Sequence, residues 1–255
     1  MRAITYTAYG AAQDVLKLVD VDDPQPAEGE VLVALECSGV NPSDVKRRAG
    51  ARPGETELPY PAICPHSDGA GTITAVGKGI DAARIGQRVW IWNGQFGRAM
   101  GTCAQSIALT AAQAVPLPDG VSFETGASLG IPGLTAAHIV FGGGPVQGKS
   151  LLIHGGNGSV GHLAVQLAKW GGARVIATAR PDAFARCRAA GAEAVCDYRS
   201  DTLAQDLLAA NHGRKFDRII DVEFGENIAV NAEVIADRGT ISVYGSAKNM
   251  TPHIP

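Results

Sequence analysis

Apolar residues in the first 120 positions come in short bursts, not at helical spacing. Val31-Leu32-Val33-Ala34-Leu35, Gly71-Thr72-Ile73-Thr74-Ala75-Val76 and Arg88-Val89-Trp90-Ile91-Trp92 are rich in β-branched, aromatic or other apolar residues. Clusters of Gly, Pro, Asn and Asp bound each run, so they predict short strands in a small, partly open barrel or sandwich. Pro116-Leu117-Pro118-Asp119-Gly120 is rich in turn residues and has no periodicity. It marks an expected boundary between a domain at 1–120 and another at 121–255.

Beyond it the texture alternates between strand and helix. Residues 150–154 predict a buried strand, followed by a Gly-rich turn and a helix over 160–170. In that helix Val160, Leu163, Ala164 and Leu167 fall on one face, opposite His162, Gln166 and Lys169. Further strands are expected at 174–178, 194–196, 216–222 and 239–244, with helices at 181–190, 203–211 and 228–236. Pro181 suits a first helical position, and Gly191 suits the left-handed residue that closes a helix. The alternation predicts an α/β domain with a parallel sheet wound on both sides.

Composition narrows the class. Only 18% of the 255 residues are charged and 45% are apolar, with a formal net charge of −3. That is an ordered chain without a basic field, so nucleic acid is not an expected partner. The N-terminus lacks a signal-like apolar core, and no run reaches the ~18 apolar residues of a membrane span. The 5 cysteines are scattered without a C-x-x-C pair, which predicts buried thiols in a reducing compartment such as the cytoplasm. Glycine is abundant, at 32 residues, and part of this surplus falls in one motif.

His154-Gly155-Gly156-Asn157-Gly158-Ser159-Val160-Gly161 holds G-x-G-x-x-G at Gly156, Gly158 and Gly161. It leaves a predicted strand and opens a predicted helix, as a dinucleotide fingerprint requires. Glycines let the backbone approach a pyrophosphate, and a helix N-terminus offers free N–H groups and a positive dipole end. NAD-binding folds carry an acid about 20 residues later, against the ribose hydroxyls. Here that count reaches Thr178-Ala179-Arg180. Arg180 suits a 2′-phosphate; Asp182 is the rival for the ribose, and Arg180 as a solvated surface residue is the plainer alternative.

Several segments together carry a family resemblance over nearly the whole chain. They are Ser38-Gly39-Val40-Asn41-Pro42-Ser43-Asp44, Pro65-His66-Ser67-Asp68-Gly69-Ala70-Gly71, Gly130-Ile131-Pro132-Gly133-Leu134-Thr135-Ala136, the glycine loop, and Val243-Tyr244-Gly245-Ser246. The sequence resembles the zinc-independent quinone oxidoreductases, the zeta-crystallin group of the medium-chain dehydrogenase/reductase superfamily. Zinc-dependent relatives have Cys at the position of Asn41 and His at that of Ser67, and a structural cysteine cluster that is missing here. The resemblance therefore implies no metal.

It further implies a GroES-like β-rich catalytic domain followed by a Rossmann domain, with NADPH in the cleft between them. Asn41 would face the nicotinamide and substrate, and Thr135 would contact the nicotinamide. Lys46 stands where relatives often have a cofactor-contacting Tyr. Gly156, Gly158, Ser159, Val160 and Gly161 would line the pyrophosphate. Thr178 would end the strand that points at the adenosine ribose, and Arg180 and Tyr198 would frame its phosphate. Relatives often add a Lys where Ala183 stands, which shifts the burden to Arg180. Tyr244, Gly245 and Ser246 would approach the nicotinamide side.

The implied reaction is NADPH:quinone reduction by hydride transfer. Asn41 or Thr135 would hydrogen-bond the developing oxyanion, or simply stabilise their loops. The alternatives are an NADPH-dependent enone or enal reductase and a non-catalytic NADPH-binding redox sensor. The expected partner is a small molecule, with a homodimer as a possible assembly. Full members of the family continue past Thr251-Pro252-His253-Ile254-Pro255 with a sixth strand, so the sequence reads as C-terminally truncated.

Overall fold

Val31 and Val33 are fully buried while Leu32 and Ala34 are only half so. This is the alternation of a strand with one face on a core. In a computed structural model, which describes residues 1–51 and 56–255, these residues lie in the first of two compact units, Met1–Ile131 and Pro132–Pro255. The expected boundary segment at 116–120 lies inside the first unit.

The first unit begins with β1 (Arg2–Thr5), the one-turn helix α1 (Ala12–Val15) and β2 (Lys17–Asp20), where β1 and β2 pair antiparallel. There follow β3 (Glu30–Gly39), α2 (Pro42–Arg48), β4 (Asp68–Val76), β5 (Arg88–Ile91), β6 (Ser106–Thr110), β7 (Ala114–Pro116) and α3 (Phe123–Ala127). The five longer-range strands form an antiparallel sheet in the order β6-β3-β4-β5-β7. Val33, Ile73, Val89, Ile91, Ile107 and Leu109 fill its core. The expected strand at 31–35 runs on to Gly39, because Cys37, Ser38 and Gly39 keep pairing with Ala70, Gly69 and Asp68 past a bulge. Likewise β4 starts at Asp68 instead of Gly71, and Trp92 falls just outside β5. The helix α2 is invisible to periodicity because none of its residues is buried.

Helix α4 (Gly130–Phe141) starts in the first unit and continues into the second. Its opening Gly130-Ile131-Pro132-Gly133 hides it in the sequence, although Pro within a first helical turn is tolerated. The second unit then alternates β8 (Ser150–Ile153), α5 (Ser159–Trp170), β9 (Arg174–Ala179), α6 (Phe184–Ala189), β10 (Ala194–Asp197), α7 (Leu203–Ala210), β11 (Phe216–Asp221), α8 (Phe224–Val234) and β12 (Ile235–Val243). Every pairing is parallel, in the order β10-β9-β8-β11-β12. The order reverses between β8 and β11, the switch point at which such sheets take ligands. All four residues of β8 are buried, as expected of a central parallel strand. In α5 the fully buried seam is Gly161, Ala164, Val165 and Ala168, with Leu163 and Leu167 half-buried beside it.

Four boundaries differ from expectation. The helix expected at 181–190 is a 3-10 turn, Pro181–Ala183, leading into α6. Pro181 heads that turn, and Gly191 closes the helix at φ +115°. Residues 235 and 236, read as helix, belong to β12. Ile235 is already extended (φ −73°, ψ 136°) and pairs with Phe216, and a register shift follows before Thr240 pairs with Arg218. Conversely α8 begins four residues earlier than read, at Phe224. His154, read as the end of a strand, lies in the turn after β8.

Candidate functional site

The glycine loop joins β8 to α5 at the switch point. Gly155 takes φ +70°, a conformation that side chains disfavour. The loop then closes through Gly156 N–H to Thr178 O (2.9 Å) and Gly158 N–H to Gly155 O (2.9 Å). Gly158 is the N-cap of α5, and the first helical bond runs from His162 N–H to Gly158 O at 2.8 Å. The amides of Ser159, Val160 and Gly161 precede that bond and have no acceptor within the helix. Gly158 and Ser159 are exposed, whereas Gly156 and Gly161 are buried. A Cβ on Gly161 would sit 2.2 Å from Gly155 O, but a Cβ on Gly158 would meet only Gly155 O, at 3.4 Å. The outer side of the loop is thus open to a ligand, and its inner side admits no side chain. The arrangement fits an anionic group such as a pyrophosphate.

A buried polar relay supports the loop from beneath. Asn231 Nδ2 donates to Asp221 Oδ2 (2.6 Å), which turns Asn231 Oδ1 toward His154 Nε2 at 2.8 Å. Burial holds the imidazole pKa below its ordinary value, so His154 is neutral. With Nε2 donating, its Nδ1 accepts from the Thr178 hydroxyl (3.3 Å), whose oxygen accepts from Gly155 N–H (3.1 Å). One direction of proton donation thus satisfies every member from Asp221 to the loop. Thr178, His154, Asp221 and Asn231 are at most 1% exposed, so Thr178 touches the loop from inside. The sequence marked His154 as a strand end and as part of the glycine motif, and gave Asp221 and Asn231 no role.

At the C-terminal end of β9, Arg180 and Asp182 pair with each other at 3.2 Å, both well exposed. The sequence left these two as rivals for the ribose; they are partners in this structure. Tyr198, 47% exposed, lines a groove of about 560 Å³ together with His154, Gly155, Thr178, Val222 and Glu223. Tyr244 N–H donates to Asp221 O (3.0 Å), and burial together with the nearby Asp221 raises the pKa of its phenol. Ser246 accepts from Gly225 N–H (3.0 Å) and donates to Asn249 O (2.7 Å), tying the chain after β12 to α8. Gly245 packs against the backbone of Val222, whose oxygen a Cβ would meet at 2.3 Å.

The first unit holds Asn41 and Lys46, while Thr135 lies half-buried on α4 in the second. Lys46 is exposed on α2. Asn41 is the N-cap of α2 and closes a capping box with Asp44, whose carboxylate accepts the Asn41 N–H at 2.8 Å. Its Nδ2 donates to Asp68 Oδ2, also at 2.8 Å. A second polar chain runs nearby: His66 Nδ1 meets Ser38 Oγ (2.9 Å), Ser38 meets Thr102 Oγ1 (2.9 Å), and Thr102 donates to Asp68 O (2.6 Å). Asp68 had no assigned role in the sequence. A lone acid in a Gly-rich motif gives no signal until its burial is known.

Among the described residues, no group of three or more His, Cys, Asp or Glu is gathered to hold a metal, and no helix is long and apolar enough to cross a membrane. Two family models match, the alcohol dehydrogenase GroES-like domain over residues 27–119 and the zinc-binding dehydrogenase over residues 159–255. The quinone oxidoreductase of Rattus norvegicus is 31% identical over 248 residues, covering 96% of this chain and 73% of the relative. That of Mus musculus is 33% identical over 252 residues, with the same coverage of 96% and 73%. A mycobacterial protein solved in complex with NADPH is similar at a TM-score of 0.82 and 31% identity, over 100% of this chain and 77% of that one. A GroES-like unit followed by a nicotinamide-dinucleotide sheet defines an oxidoreductase of the medium-chain dehydrogenase/reductase superfamily. Within it, the chain belongs to the quinone oxidoreductase family.

Proposed function

We propose that this chain reduces quinones with NADPH by hydride transfer, without a metal. The observation that carries the reading is the glycine cradle, open at Gly158 and backed by the free amides of α5 at the sheet's switch point. The NADPH complex of the mycobacterial neighbour supports the choice of cofactor. Zinc does not fit the residues present. Asn41 and Ser67 replace the Cys and His of zinc-dependent relatives, and the Asn41 carboxamide is already bonded to Asp68.

When bound, the nicotinamide supplies the hydride, and the quinone takes it with one proton from water to give the hydroquinone. Ser159, Val160 and Gly161 hold the pyrophosphate through their amides. The Nδ2–H of Asn41 not engaged by Asp68 serves as a donor to the developing oxyanion. A quinone is already electrophilic, so positioning and exclusion of water supply much of the rate without a strong acid. The expected result is steady NADPH oxidation with 9,10-phenanthrenequinone that persists after chelator washing, and little with crotonaldehyde. Turnover of crotonaldehyde instead would identify a double-bond reductase, and tight NADPH binding without turnover of either would identify a binding protein.

Preference for NADPH over NADH is assigned to Arg180, with Tyr198 adding a hydroxyl and a ring. The exposed Arg180–Asp182 pair is worth at most about 1 kcal/mol, so a phosphate dianion can take its place. A charge-assisted contact contributes about 1.5–3 kcal/mol, roughly ten- to a hundred-fold in affinity. Arg180→Ala is therefore expected to weaken NADPH binding by about that factor and to leave NADH unchanged. Fluorescence titration of both cofactors checks it. Equal affinity of the wild type for the two, unaltered by Arg180→Ala, would remove the assignment.

A further inference from the structure

Asp68 begins β4 and is 1% exposed. Its Oδ2 accepts two hydrogen bonds of 2.8 Å, from Asn41 Nδ2 and from Ile131 N–H in the first turn of α4. Its Oδ1 has no partner and faces Gly130, where a Cβ would come within 2.1 Å of it. Burying a carboxylate with one oxygen unsatisfied is unfavourable. A neutral side chain of the same size would fill the space without that penalty. Packing therefore does not account for the charge.

Its contact with Asn41 does. The two ends of a carboxamide are nearly alike in shape, so only its partners decide which end faces which way. An ionised carboxylate accepts and cannot donate, so it admits Asn41 only with Nδ2 inward. The capping box with Asp44 holds the same residue from the helix side. Thr102 in turn fixes the Asp68 backbone through its hydroxyl.

We propose that Asp68 is a positioning residue for Asn41: its carboxylate anchors one Nδ2–H so that the other stays aimed as a donor at the reacting carbonyl. This rests on Asn41 being a substrate-side residue, as in the proposed function. An Asn at 68, its Oδ1 held by the Ile131 N–H, would still accept from Asn41 Nδ2, but as a neutral and weaker acceptor, and the hold on Asn41 would loosen.

The test combines kinetics with a signal that needs no cofactor. In the free protein, the Asn41 Nδ2 proton pair is assigned in a ¹H–¹⁵N spectrum by its loss in Asn41→Ala. Asp68→Asn is expected to shift that pair, because a neutral acceptor bonds it less strongly. It is also expected to lower kcat for 9,10-phenanthrenequinone about tenfold or more with little change in KM. Asn41→Ala should lower kcat comparably, and the double variant should lose no more than either alone. Asp68→Ser, which keeps an acceptor without the charge, should behave like Asp68→Asn and serves if the latter does not fold. An unmoved Asn41 signal, or losses that add in the double variant, would overturn the proposal. A signal that responds to Asp68 while Asn41→Ala keeps full turnover would instead overturn the substrate-side reading of Asn41.

Discussion

Gly158→Ala is expected to fold like the wild type and to lose ten- to a hundred-fold in affinity for NADPH, whereas Gly161→Ala is expected to destabilise the second unit itself. The backbone of Gly158 (φ −72°, ψ 164°) suits any residue. An added methyl there meets only Gly155 O, at an ordinary 3.4 Å, so the free protein tolerates it. The same methyl stands at the N-cap, where an anion must approach the amides of α5. Displacing one charge-assisted hydrogen bond there costs about 1.5–3 kcal/mol. At Gly161 the clash is internal: Cβ would lie 2.2 Å from Gly155 O and 2.8 Å from Gly155 C, and backbone atoms cannot swing aside. Overpacking of this kind costs about 1–3 kcal/mol or more, several degrees in Tm for a chain of this size. Thermal melts and fluorescence titrations of the two variants separate these effects. A Gly158→Ala protein that binds NADPH as tightly as the wild type would leave the loop without its assigned ligand.

The parts of this fold that were legible in the sequence are those set by local chemistry. The unit from β8 through α5 to β9 carries an apolar strand, a glycine turn and a helix in order, and these appear where expected, although the fully buried seam of the helix is Gly161, Ala164, Val165 and Ala168 and shares only Ala164 with the expected stripe. The junction of α8 and β12 was misread because Val234, Ile235 and Ala236 continue an apolar helical pattern. The chain turns extended at Ile235 because pairing with Phe216 wins over local propensity. Helix α4 escaped notice because it opens with Gly and Pro and has apolar residues on several faces.

The site divides in the same way. The glycine loop announces itself, since its residues are contiguous and their steric demands are local. The relay beneath it does not: His154 and Asn231 are 77 residues apart, and Asp68 reaches Asn41 across 27 residues and Ile131 across 63. No spacing rule links such residues, because only the completed sheet brings them together. Arg180 and Asp182 are an intermediate case. Their proximity was plain, but the sequence could not say that they neutralise each other.

Stability is expected to decline as pH rises from about 4 to about 6 through Asp68 alone, a contribution that Asp68→Asn should lack. Burial pushes this carboxyl up to about 6, helped by the nearby Asp44 and opposed by the hydrogen bonds from Asn41 and Ile131. An unfolded Asp titrates near 3.9. Between these values the folded chain holds a proton that the unfolded chain has released, so raising the pH favours unfolding. The contribution is fully present below about pH 4 and lost above about pH 6. About two pKa units at 1.36 kcal/mol each make it about 3 kcal/mol. Neighbouring groups titrate too: burial raises the pKa of Asp44 and lowers that of His66, and the latter slopes the other way. The difference between wild type and Asp68→Asn cancels the His66 part, and cancels the Asp44 part except for the coupling between the two carboxyls. In denaturant titrations the variant should therefore gain up to about 3 kcal/mol on the wild type between pH 4 and pH 7 while turning over more slowly. A residue that costs stability and supports turnover is what a functional charge predicts, and a packing residue would show the reverse. Parallel stability curves for the two proteins over that range would mean that Asp68 is ionised throughout and that its burial carries no such penalty.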